Sequence, residues 1–81
     1  MSRDIVEQKV TVLSIIRRIR KLTQDELARI VGISQPKISQ LERGLPEGRI
    51  SAETLVRLSE ALGWKGRPEE LLEEASKVLK Y

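Results

Sequence analysis

Residues 23–44 constrain the fold more than any other stretch, because they read as two helices of about eight residues each with almost nothing between them. Thr23 precedes Gln24-Asp25-Glu26, a capping residue followed by acids in the first turn, where the helix dipole favours negative charge. Gly32 stops that helix, and Ser34 opens the next with Pro36 in its first turn, where a missing N–H leaves no hydrogen bond unmade. The second helix ends near Gly44. Leu27, Ala28 and Val31 fall on one face of the first helix, Ile38 and Leu41 on one face of the second, and Ile33 lies in the turn between them. Two helices crossing steeply need a small residue at the close approach, here Ala28, and a residue at ease in the left-handed region at the turn, here Gly32.

The flanks carry helical signals too. Residues 4–20 read as one long helix, with the spacing of a capping box in Asp4 and Glu7 and with Val6, Val10, Leu13 and Ile16 at steps of three and four. Val10-Thr11-Val12 is the only strand-like alternation, and it is embedded in that pattern. Leu45-Pro46-Glu47-Gly48-Arg49 is a loop. Ser51 caps a fourth helix that runs to Leu62 and stops at Gly63, with Ile50 and Leu55 placed as a hydrophobic staple. A fifth helix is expected over about 68–80, with Leu71, Leu72, Ala75, Val78 and Leu79 on one side. The expected fold class is all-α, a compact five-helix domain.

At 81 residues there is room for one core of normal size, so residues 1–81 are expected to form a single domain, with the motif over 13–63 and the last helix serving packing or dimerisation. Twenty-five Ile, Leu and Val residues suffice for a core. The chain has neither Cys nor His, which argues against zinc sites, disulfide scaffolds, catalytic thiols and histidine acid–base chemistry. No metal, cofactor or enzyme activity is expected. Apolar runs are far shorter than the roughly 20 residues of a membrane span, and Met1-Ser2-Arg3-Asp4 has no apolar signal stretch, so the expected compartment is the cytoplasm. Residues 1–50 carry ten Lys/Arg against six Asp/Glu, and residues 51–81 carry five against six. The positive surplus therefore sits with the paired short helices, which permits polyanion binding without demanding it.

The stretch from Arg17, RRIRKLTQDELARIVGISQPKISQLERG, followed after the loop by ISAETLVRLSEALG, resembles the Cro and phage-repressor type of helix-turn-helix regulators, the XRE family. The departures from the family pattern are a slightly longer loop with Ile50 where Pro is common, Pro36 in the reading helix, Trp64 where Val is common and the extended first helix. The resemblance implies a lambda-repressor-like fold that binds double-stranded DNA, with helix 35–43 in the major groove. With Ile38 and Leu41 placed inward, Pro36, Ser39, Gln40 and Arg43 point away from the core and Gln35 and Lys37 flank them. Gln pairs bidentately with adenine, so Gln35 and Gln40 are the first candidates for base reading, with Lys37 and Ser39 beside them and Pro36 limited to sugar or methyl contact. Gln24, at a helix N-terminus, and Arg43 and Arg49, around the loop, are candidates for phosphate contact, with Arg20 and Lys21 weaker ones. In the family the matching Gln also steadies the first Gln of the reading helix, here Gln35. The match further places Arg17 against Glu42 as a partly buried ion pair. Ser34 reads as a cap, and Arg18, Arg29 and Arg57 as solvated charges.

A sequence-specific transcriptional regulator is the leading expectation: a repressor acting as a homodimer on a near-palindromic site. Trp64 either fills the gap between the fourth and fifth helices or anchors a dimer, and an 81-residue core that cannot cover both faces of the last helix favours pairing through the C-terminal half. The alternative is a protein-interaction module on the same fold, an antitoxin or bridging adaptor with a protein partner. Single-stranded nucleic acid is disfavoured because the basic half has no aromatic platform for stacking.

Overall fold

The computed structural model describes residues 10–44 and 50–79. Among these described residues five α-helices follow in order: α1 (Val12–Ile19), α2 (Gln24–Val31), α3 (Gln35–Glu42), α4 (Ala52–Leu62) and α5 (Ala75–Val78), with a 3-10 helix over Pro68–Leu72 before α5. Their boundaries follow local chemistry. Thr23 and Glu26 form a reciprocal capping box: the Glu26 N–H donates to Thr23 Oγ1 (3.0 Å) and the Thr23 N–H to Glu26 Oε1 (2.8 Å). Ser34 and Ser51 cap α3 and α4 by accepting from the N–H groups of Lys37 and Thr54. Gly32, at φ 86°, turns the chain out of α2, and its N–H and that of Ile33 both return to the Ala28 carbonyl.

The core takes one to three side chains from each element. Val12 and Leu13, Leu27, Ala28 and Val31, Ile38 and Leu41, Leu58 and Leu62, Leu71, and Ala75 are all buried. Ile33, Leu55 and Trp64 pack against them half-buried. Ala28 lets α2 and α3 approach closely, and the inward sets of both helices are those expected from the periodicity. Trp64 sits beyond α4, packs on the core and donates its indole N–H to the Arg67 carbonyl (3.0 Å).

Two expectations are corrected. The first helix begins at Val12 and not at residue 4, since Thr11 is its cap and lies in extended backbone. Thr11 pairs antiparallel with Glu74: the Val12 N–H donates to the Glu73 carbonyl (3.0 Å) and the Ala75 N–H to the Val10 carbonyl (2.7 Å). Val10 consequently stands outside the helix, 47% exposed. The Asp4–Glu7 capping box and Val6 lie outside the described residues. The same pairing breaks the expected helix over 68–80: Glu73 and Glu74 are extended, with a 3-10 turn on one side and α5 on the other. The Glu73 carbonyl thereby serves an orphan N–H at the start of α1, and the Val10 carbonyl serves the first N–H of α5.

Candidate nucleic-acid interface

The buried face of α3 is formed by Ile38, Leu41 and Glu42, which fixes the rotation of the helix. Gln35, Pro36 and Arg43 are exposed, and Lys37, Ser39 and Gln40 half-buried, so the opposite face of α3 is polar and carries no acid. Pro36 sits in the first turn, where it removes no intrahelical bond. Arg49 lies outside the described residues.

Behind this face runs a continuous chain of polar contacts. Glu42 keeps only 5% of its side-chain surface exposed, yet its carboxylate is fully served. Arg17 reaches it with Nε on Oε2 and with Nη2 on Oε1 (3.1 Å), and Gln24 Nε2 also donates to Oε1 (3.0 Å). Arg17 spends its remaining terminal nitrogen on the Leu22 carbonyl (2.7 Å), holding the turn between α1 and α2. Gln24 Oε1 in turn accepts from Gln35 Nε2 (2.6 Å). Arg17, Glu42, Gln24 and Gln35 are thus linked from α1 through the end of α3 and the start of α2 to the start of α3.

The geometry of that last bond has a chemical consequence. Gln35 donates one of its two amide hydrogens to Gln24, which leaves the other hydrogen and the carbonyl oxygen at the exposed end. One acceptor and one donor, side by side and held in plane, are what bidentate pairing with an adenine edge requires. The N-terminus of α2, where Gln24 stands, offers backbone N–H groups to an anion.

Two features escape sequence reading. Thr11 Oγ1, fully buried, donates to the Glu42 carbonyl (2.8 Å), tying the start of α1 to the end of α3 across 31 positions. No local pattern announces such a contact. Arg20, a weak phosphate candidate by sequence, instead donates Nε to the Leu62 carbonyl (2.8 Å), where α4 leaves carbonyls without intrahelical partners. Among the described residues no helix is long and apolar enough to cross a membrane.

A family model described as helix-turn-helix matches residues 13–67, more than half of the chain. Among solved structures, the clp gene regulator ClgR from C. glutamicum is similar, with 31% identity and a TM-score of 0.62 over 84% of this chain and 83% of that one. A hypothetical transcription factor, NHTF from Neisseria, aligns at 24% identity and a TM-score of 0.64 over 94% of this chain and 91% of that one, and at that identity it speaks for the fold alone. No curated protein sequence matches significantly.

Proposed function

The chain belongs to the XRE type of helix-turn-helix family, DNA-binding transcription regulators, and on that premise we propose that it is a cytoplasmic repressor that occupies a near-palindromic operator as a homodimer. In this reading α3 enters the major groove, Gln35 and Gln40 read base edges, and Lys37, Ser39 and Pro36 make the flanking contacts. Gln24, Arg43 and Arg49 hold phosphates on either side. The observation that carries the reading is the Gln24–Gln35 hydrogen bond, anchored on the buried Arg17–Glu42 pair. It fixes the amide of Gln35 before DNA arrives, so less rotamer entropy is lost on binding. The likeness to ClgR, itself a gene regulator, supports the regulatory role.

A symmetric dimer places two copies of α3 about one helical turn apart, roughly 34–36 Å. Mobility-shift titration across salt tests the proposal. Two chains should bind each duplex, and the log–log salt slope should be about −0.9 for each phosphate contacted. A salt-independent shift, or one chain per duplex, overturns it.

A further inference from the structure

Between α1 and α3 lies a cleft of about 240 Å³ that the contacts above leave unused. Ser14 and Arg18 line it from α1, Ser39 and Arg43 from α3, and Gln24 from the start of α2, with the buried Glu42 also on its wall. That is the space of about eight waters at roughly 30 Å³ each, enough for a tetrahedral oxyanion and part of its hydration. Ser14 Oγ is already committed to the Thr11 carbonyl (3.0 Å), so the donors left at the cleft are chiefly guanidinium.

The arginines of the described residues sort sharply. Arg17 is bound to Glu42, Arg20 to the Leu62 carbonyl, Arg29 to Asp25, Arg57 to Glu53, and Arg67 lies beside Glu70. Arg18 and Arg43 differ. Among the described residues the Arg18 guanidinium has no hydrogen-bond or ion-pair partner, and that of Arg43 makes only a long bond (3.4 Å) to the Ser39 carbonyl one turn back. Both side chains are exposed, and the only acid lining the cleft among the described residues, Glu42, is already neutralised by Arg17. Two guanidiniums at one opening, neither paired with an acid among the described residues and each with several N–H donors in a rigid fork, match the geometry of a phosphodiester.

We propose that Arg18 and Arg43 clamp one DNA backbone phosphate at this cleft, so that α1 takes part directly in docking. Arg18 thereby becomes a positioning residue and not a merely solvated charge. The clamp adjoins Gln24 and so continues the phosphate-binding edge that begins at the α2 N-terminus.

The clamp rests on the DNA-binding reading, and the test separates the two. Phosphate-ethylation interference and binding titrations, on a duplex that wild type selects from a random pool, are run with the full chain, R18Q, R43Q and the control R29Q, whose arginine is exposed, paired with Asp25 and outside the cleft. Wild type should show one phosphate per half-site at which ethylation blocks binding and at which the effect fades in both R18Q and R43Q. R18Q should weaken binding on the order of three- to tenfold with an unchanged melting curve, while R29Q stays near wild type. If R18Q matches R29Q, or if R18Q and R43Q erase different phosphates, the clamp is wrong although wild type still binds. If wild type binds no duplex, both readings fall.

Discussion

Arg17→Met removes the cation that neutralises the buried Glu42 carboxylate. The two side chains are 11% and 5% exposed, so this is a buried pair, and breaking one from a single side costs about 3–5 kcal/mol because the partner charge stays behind. Only the Gln24 amide would then serve that carboxylate, and the Leu22 carbonyl would lose its donor as well. An 81-residue domain has about 4–12 kcal/mol of total stability by the usual per-residue range, so the variant forfeits a large part of it. At about 4–8 °C per kcal/mol for domains of this size, the melting temperature should fall by at least about 12 °C. The double variant Arg17→Met with Glu42→Leu replaces the pair with apolar groups and should recover most of that loss. It also removes the anchor of Gln24, so its base preference at the Gln35 contact should stay relaxed when its melting curve returns. The assay is thermal unfolding by circular dichroism beside competition binding to duplexes differing at one base pair. An unchanged melting curve for the single variant would mean that the Glu42 carboxylate does not depend on Arg17, and a double variant as unstable as the single would mean that an unpaired buried charge is not what destabilises it.

Gly32→Ala should cost about 1–2 kcal/mol in urea unfolding, all of it backbone strain, because a Cβ there meets no atom within 4 Å while φ is 86°; a neutral result would mean the turn relaxes. Lys21 holds φ at 60° in the turn after α1 without being a glycine, so Lys21→Gly should raise stability, by about 0.5–1 kcal/mol after the added freedom of the unfolded chain is offset. A destabilised Lys21→Gly would show that its side chain contributes more than its backbone strains.

The legible part of this fold is the part governed by short-range chemistry. Thr23, Ser34 and Ser51 announce helix starts and Gly32 and Gly63 announce stops because caps act within three or four residues, and the structure sets each of those boundaries where the sequence does. The apolar faces of α2 and α3 follow from the same period. What was illegible is long-range. Leu71, Leu72, Ala75, Val78 and Leu79 have helical spacing, yet backbone pairing of Glu73–Ala75 with Val10–Val12 outweighs it, and the brief strand-like alternation at Val10-Thr11-Val12 was the only hint. At the interface, the polar face of α3 can be read from a helical wheel. The commitment of Arg20 to α4 and the freedom of Arg18 cannot, because both depend on which helix ends come together in space.

On the proposed reading a prepositioned Gln35, held by Gln24, reads a base edge. Selection of bound duplexes from a random pool, repeated with Gln35→Ala and Gln40→Ala, addresses it directly. Wild type should enrich paired half-sites, and Gln35→Ala should lose preference at one base pair in each, by about 1–3 kcal/mol, while preference elsewhere persists. An unenriched wild-type pool, or a Gln35→Ala variant that weakens all sequences equally, would contradict it.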